Sequence, residues 1–141
     1  MILAADEQAI AQAAQALHEG QLVGLPTETV YGVAANATDD AAVAQIFVAK
    51  GRPADHPLIV HVLSAEQVPI FATQVPEFAQ ALIGAFWPGP LTLILHRQSG
   101  VATASAGGQD SIGLRCPSHP VAQALLRAGL ALGVPGVSAP S

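Results

Sequence analysis

The sequence predicts a mixed α/β fold, a twisted mixed β-sheet with flanking helices. Two observations predict it. Strand-like and helix-like patterns alternate through most of the chain, as expected when helices pack against one sheet. In addition, 51% of the 141 residues are hydrophobic and only 11% are charged, which is enough to build a core at this length. We therefore expect residues 1–141 to form a single domain.

The first helix and the first strand occupy the N-terminal quarter. Apolar residues at helical spacing follow Asp6, and Gly20 can end that helix in the left-handed conformation. Residues 22–25 form a short apolar run stopped by Pro26, which is typical of a buried strand that leads into a loop.

A second helix and a second strand follow. Asp39 or Asp40 can cap the helix, and Gly51 with Pro53 ends it. Residues 58–63 are apolar and rich in β-branched side chains, so they predict a second buried strand.

The rest of the chain repeats this alternation. The predicted elements are a helix over 76–86 closed by the Trp-Pro-Gly-Pro turn 87–90, strands over 91–95 and 111–116, and a helix over 120–127 ended by Gly129. Residues 99–109 are small and glycine-rich, and we expect a mobile loop there. Residues 133–141 are typical of a loop that enters or leaves a strand, without a capping helix or polar tail, so we expect a truncated chain.

Composition excludes several classes of protein. The net charge is −5, and five Lys and Arg residues cannot supply the broad basic surface on which nucleic-acid binding depends. A single cysteine, Cys116, excludes an internal disulfide or a cysteine metal cluster, and its apolar neighbours predict a buried thiol. No basic leader or apolar stretch of roughly 20 residues is present, so we expect a soluble, cytoplasmic protein without membrane contact.

Two cations lie at the exit of the second helix. Lys50 and Arg52 can grip a polyanion, the guanidinium in bidentate fashion and the ammonium as a point charge. Alternatively, they only complement the helix dipole. Pro53 and Pro57 make the surrounding loop rigid, which favours binding.

Thr27, Glu28 and Thr29 place two hydroxyls and a carboxylate directly after the first strand. These residues indicate either a ligand site or ordinary turn chemistry. Tyr31 can pack its ring on a ligand or fill the core. Together with the cations, they predict a site for an anionic, phosphorylated small molecule at the ends of buried elements.

Two histidines accompany the second strand: His56 precedes it and His61 lies within it. His56 and His61, five residues apart and without a third ligand nearby, are a poor metal signature. Strand alternation puts His61 on the same face as Ile59, where it either meets a substrate or is a hydrogen-bonded core histidine.

Arg115 lies in an otherwise apolar strand, where an unpaired guanidinium costs several kcal/mol. A substrate carboxylate could pair with it, and so could Glu28 or Asp110. The chain contains no GxxxxGKS or GxxxxGKT loop and no GxGxxG, so neither a P-loop nor a Rossmann fingerprint accounts for a nucleotide.

Six segments, in this order, resemble the Sua5/YrdC/YciO family, and in particular its short, YrdC-like threonylcarbamoyl-AMP-forming members. The segments are GLPTETVYG (24–32), KGRP (50–53), HPLIVHV (56–62), FWPGPLTLIL (86–95), SIGLRCPSHPVAQALL (111–126) and SAPS (138–141). The resemblance implies one YrdC-like domain with a large cavity. It also implies that the family's Ser-x-Asn signature would end two residues beyond Ser141, so that a C-terminal part of the domain is missing.

The resemblance implies a nucleotidyltransferase that converts L-threonine, bicarbonate and ATP to threonylcarbamoyl-AMP and pyrophosphate. Its product would pass to a tRNA threonylcarbamoyl transferase complex for t6A modification, with weak or no direct tRNA binding. Mg²⁺ would be held mainly by the ATP phosphates. Two alternatives stay open: a non-catalytic RNA- or ribosome-associated module, and a carbamoyl-adenylate-forming domain of the hydrogenase-maturation type.

The resemblance also assigns roles to residues of this chain. Threonine would be held by Thr29, His61 and Arg115, with Arg115 on its carboxylate. ATP would be bound by Lys50, Arg52, His56, Ser111 and Ser141. Lys50 and Arg52 would be catalytic, because they can stabilise negative charge that develops at the α-phosphorus.

Overall fold

A computed structural model describes residues 6–26, 31–51 and 53–140, and in it a six-stranded mixed sheet organises the chain. The strands are β1 (Val23–Pro26), β2 (Tyr31–Asn36), β3 (Ile59–His61), β4 (Thr92–His96), β5 (Ser111–Arg115) and β6 (Val137–Ala139). Their order across the sheet is β1-β2-β6-β3-β5-β4. β3 and β5 run parallel, and the other neighbouring pairs are antiparallel. The predicted mixed α/β architecture is confirmed, and the sheet is open.

Five α-helices flank this sheet in the described part of the chain. They are α1 (Glu7–His18), α2 (Asp40–Lys50), α3 (Val68–Phe71), α4 (Glu77–Phe86) and α5 (Pro120–Ala131), with a 3₁₀ turn at Ala65–Gln67 before α3. The predicted start of the first helix after Asp6 is confirmed, and of the two candidate caps of the second helix Asp39 is the one observed. Asp6 accepts a hydrogen bond from the Ala9 amide, and Asp39 accepts one from the Ala42 amide. Gly51 ends α2 in the left-handed conformation, with φ 65°.

Three local predictions differ from the structure. β1 includes Pro26, the predicted stop, because its ladder runs through that residue to pair with Tyr31. The sequence analysis did not identify β2. Gly129 does not end α5: it lies within the helix, buried against Val134. The helix continues to Ala131, and Gly133 with φ 87° follows it.

The helices bury both faces of the sheet, but not evenly. α1 and α5 pack on each other and on one face of β1, β2 and β6, through a cluster that includes Leu17, Leu125 and Val137. The opposite face is covered by α2 near β2, and by α3 and α4 over β3, β4 and β5. None of the helices in the described ranges has the length and apolar character needed to cross a membrane.

The segment 99–109 is more ordered in its packing than we expected. It forms a series of turns in which Ala102, Ser105 and Ala106 are buried, and Ser105 makes hydrogen bonds to two distant segments. Small side chains here allow the loop to pack closely on its neighbours, and its mobility stays a prediction.

Cys116 lies in the core, as predicted. Its side chain is 3% exposed, and its thiol donates a hydrogen bond to the Leu63 carbonyl at 3.2 Å. Burial raises the pKa of the Cys116 thiol above its ordinary value, because the thiolate is poorly solvated there.

We therefore predict that Cys116 resists alkylation in the folded protein. At mildly alkaline pH iodoacetamide should label it far more slowly than in the urea-unfolded chain, since both access and thiolate formation are reduced. Mass spectrometry of timed samples measures the two rates. Equal rates would show that the thiol is exposed and that its burial in the structure is wrong.

Candidate functional site

The predicted site residues His61 and Arg115 lie side by side on one face of the sheet. Parallel pairing puts His61 opposite Arg115, and antiparallel pairing puts Thr92 on the other side of Arg115. Val137, the neighbour of His61 on β6, packs in the cluster under α1 and α5. Because directly paired residues share a face, these side chains belong to the face that α1 and α5 cover only in part.

We call the part of this face on β3, β5 and β4 the open face. It carries eight side-chain positions: Ile59, His61, Thr92, Ile94, His96, Ser111, Gly113 and Arg115. Ile94 is 65% exposed, His96 is exposed, and Ser111 and Arg115 are half-buried, whereas the alternate positions Leu93 and Leu95 are buried. The open face is therefore a solvent-accessible surface on the sheet.

The middle of the open face is apolar, and Gly113 there carries no side chain. A Cβ at Gly113 would lie 2.9 Å from Cδ1 of Ile59 and 3.3 Å from Cδ1 of Ile94. The two isoleucine side chains thus close over the glycine from both neighbouring strands. Along β5, Ser111 lies on one side of this apolar floor and Arg115 on the other, about 13 Å apart for four strand residues.

Arg115 is held in place by the turn before β4. Its Nε donates a hydrogen bond to the Gly89 carbonyl at 3.2 Å, and the Gly89 amide donates to the Cys116 carbonyl at 2.8 Å. Trp87, half-buried in the same turn, donates from Nε1 to the Leu91 carbonyl. The predicted Trp-Pro-Gly-Pro turn is confirmed. A backbone carbonyl, rather than the exposed carboxylate of Asp110, is the partner of Nε, which leaves the guanidinium half-buried at the open face.

His61 is 3% exposed, a degree of burial typical of a core histidine. Its place beside Arg115 puts it in the floor of the open face, so the two interpretations from the sequence are compatible in this fold.

Lys50 and His56 lie near the other end of β3. Lys50 is exposed in the last turn of α2, and His56 is exposed in the segment that leads into β3. Ser111 begins β5, which is parallel to β3, so His56 and Ser111 share the amino end of this strand pair. His61 and Arg115 are toward its carboxyl end. The structure thus separates the described nucleotide candidates from the described threonine candidates along the strands.

Five predicted site residues lie outside the described residues: Thr27, Glu28, Thr29, Arg52 and Ser141. The same holds for the side chain of Tyr31. Their contributions to the site stay predictions.

The sequence analysis missed two polar residues of the open face, Thr92 and His96. Thr92 pairs with Arg115 and His96 pairs with Ser111. The alternation of polar and buried residues along β4 was the available signal, but it becomes informative only once the uncovered face is known. Within the described ranges, no group of three or more His, Cys, Asp or Glu side chains is arranged to hold a metal ion.

Comparisons with known proteins match this chain to one family over most of its length. Residues 15–141 match the Sua5/yciO/yrdC family model, whose description is "Telomere recombination". The chain is 50% identical over 121 residues to threonylcarbamoyl-AMP synthase of Pyrococcus abyssi, which covers 86% of this chain and 36% of that protein. It is 43% identical over 138 residues to threonylcarbamoyl-AMP synthase of Bacillus subtilis, which covers 96% of this chain and 40% of that protein.

A solved structure agrees with these matches. P. abyssi Sua5 complexed with L-threonine superposes on all of this chain with a TM-score of 0.92 and 44% identity, over 42% of its own length. The chain therefore spans about two fifths of the length of the relatives that it matches.

Proposed function

Because the chain belongs to the Sua5/YciO/YrdC family, we propose that the complete protein is a threonylcarbamoyl-AMP synthase. It joins L-threonine, bicarbonate and ATP into threonylcarbamoyl-AMP and releases pyrophosphate and water. The observation that carries the proposal is the layout of the open face, where an arginine beside a buried histidine lies about 13 Å along β5 from a serine at the strand's start.

The carboxyl end of the strand pair suits an amino acid. The Arg115 guanidinium, half-buried and positioned by the Gly89 carbonyl, pairs with the threonine carboxylate. His61 lies directly beside it and borders the bound amino acid. Thr29 completes this half of the proposed site.

The amino end of the strand pair suits the triphosphate. Lys50, Arg52 and His56 come from the end of α2 and the segment after it, Ser111 comes from the start of β5, and Ser141 follows β6. Lys50 is exposed at a helix end, and an ammonium there is free to reach phosphate oxygens.

The proposed reaction needs no nucleophile from the protein. The amine of threonine attacks bicarbonate and loses water to form a carbamate, and a carbamate oxygen then attacks the α-phosphorus of ATP, from which pyrophosphate leaves. Lys50 and Arg52 stabilise the negative charge on the phosphate oxygens during this attack. When magnesium is bound with ATP, it would supply further positive charge for the phosphate oxygens beside Lys50 and Arg52.

The same proposal places the protein in tRNA modification. The net charge of −5 over residues 1–141 disfavours tight binding of tRNA by this segment, so threonylcarbamoyl-AMP would pass to a separate transferase that makes t6A in the cytoplasm.

The central prediction is threonine-dependent pyrophosphate release. The complete protein, given ATP, magnesium, bicarbonate and L-threonine, should release pyrophosphate and form threonylcarbamoyl-AMP, detected by an enzyme-coupled assay and by mass spectrometry. Omitting threonine or bicarbonate should abolish release. Pyrophosphate release at the same rate without threonine would refute the proposed reaction.

A second prediction concerns the cations. Lys50→Ala and Arg52→Ala should each weaken ATP binding by about 1.5–3 kcal/mol, the usual range for hydrogen bonds to charged groups, with little change in thermal stability. Arg127→Ala, which removes an exposed cation on α5, is the control for net charge. Calorimetric titration with ATP measures all three. Variants that melt early yet bind ATP normally would mean that the pair only stabilises the end of α2.

A third prediction separates the two halves of the site. Arg115→Lys keeps the charge but loses the planar fork, so it should raise the apparent KM for threonine more than that for ATP. Both constants are measured on the same preparation. If the two rise equally, or only the ATP constant rises, Arg115 is assigned to the wrong half.

A further inference from the structure

We propose that Ser105 is a positioning residue for the ATP end of the site. It lies in residues 98–109, which we call the clamp loop, and links three segments that carry or precede proposed ATP ligands. The inference rests on the proposed function and assigns a role to a residue on none of the catalytic segments.

Ser105 is completely buried, and both its hydroxyl and its backbone carbonyl form hydrogen bonds. Its Oγ donates to the Ala37 carbonyl at 3.1 Å and lies 2.6 Å from Oγ of Ser138 on β6, which is also completely buried. A hydroxyl has one proton, so Ser138 is the donor of the second bond. The Ser105 carbonyl accepts from the Leu58 amide at 2.8 Å, just before β3.

The clamp loop also contacts the segment of His56 directly. Gly107 has φ 62°, and a Cβ there would lie 2.5 Å from the Asp55 carbonyl oxygen and 3.3 Å from the His56 carbonyl carbon. Backbone therefore packs on backbone at this point. The Ala104 amide donates to the Asp40 carboxylate at 3.2 Å, which ties the loop to the first turn of α2.

The clamp loop keeps this shape through its own contacts. The Arg97 guanidinium donates to the carbonyls of Gln109 and Val101 and to the Thr103 hydroxyl, at 2.8, 3.1 and 3.2 Å. One side chain thus closes the loop across twelve residues. A loop that is folded before ligand binds can hold its neighbours in a fixed geometry.

The three anchored segments all lead to proposed ATP ligands, and the one joined at Leu58 also enters β3, which ends at His61. α2 ends at Lys50, the segment joined at Leu58 contains His56, and β6 precedes Ser141. The clamp-loop bond at Leu58 lies at the amino end of β3, whereas His61 and Arg115 lie toward the carboxyl end of the β3–β5 pair. Loosening the clamp should therefore affect ATP and spare threonine.

The decisive variant is Ser105→Ala in the complete protein. It should raise both the apparent KM and the Kd for ATP about five- to tenfold, which is the effect expected of one lost buried hydrogen bond. The KM for threonine should stay within about twofold of the wild-type value. Hydrogen exchange should become faster in peptides covering 53–58 and 137–139. Adding Ser138→Ala to Ser105→Ala should have little further effect, since both remove the same bond.

Two further variants keep the inference falsifiable if Ser105→Ala does not fold. Ser138→Ala removes the link to β6 but leaves the bond from Ser105 to Ala37. Gly107→Ala forces the loop away from Asp55 without deleting any hydrogen bond. Each should raise the apparent KM for ATP more than the KM for threonine.

Asp6→Ala is the matched control, because it removes one helix-cap hydrogen bond in α1, outside the clamp loop and the open face. It should lower the melting temperature but leave both substrate constants unchanged. If the clamp variants lose stability as Asp6→Ala does, with no preferential loss of ATP, Ser105 is only structural and the proposed function still stands. If the wild-type protein releases no threonine-dependent pyrophosphate, the proposed function and this inference both fail.

Discussion

The parallel register of β3 and β5 is the constraint on which the candidate site depends. It sets His61 beside Arg115 and leaves Ser111 at the start of the same strand pair as the segment containing His56. An antiparallel pairing would place opposite ends of the strands together and mix the two groups. Because the period of side chains along a strand is two residues, a slip of one residue would also turn Arg115 to the opposite, helix-covered face.

The uneven packing of helices leaves the residues aligned by this register accessible to a ligand. α1 and α5 bury the sheet face at β1, β2 and β6, but the same face is open at β3, β5 and β4. Ile94 is 65% exposed there although it lies within a strand. Stability comes from the covered part and from the opposite face, where α2, α3 and α4 form the core clusters. The protein thereby keeps a rigid sheet under a binding surface.

The same residues in and next to the clamp loop stabilise the fold and position the proposed ATP ligands. Arg97, one of five Lys and Arg residues, donates its hydrogen bonds to the loop rather than to a ligand. Ser105 and Ser138 put polar groups where an apolar core would suffice for stability. A buried, fully bonded hydroxyl pair fixes one relative placement of two segments, which apolar contacts do less strictly. This specificity is what an electrostatic site for phosphates requires.

The sequence by itself determined the alternating elements, the helix starts at Asp6 and at Asp39 or Asp40, the buried Cys116 and the chemical types of the candidate ligands, because these depend on local spacing and side-chain chemistry. It did not determine β2 or the continuation of α5 past Gly129 to Ala131. The open face, the pairing of His61 with Arg115 and the clamp made by Ser105 were decided only by tertiary structure. Each joins residues far apart in the chain, and strand register and helix coverage, which no local pattern encodes, bring them together.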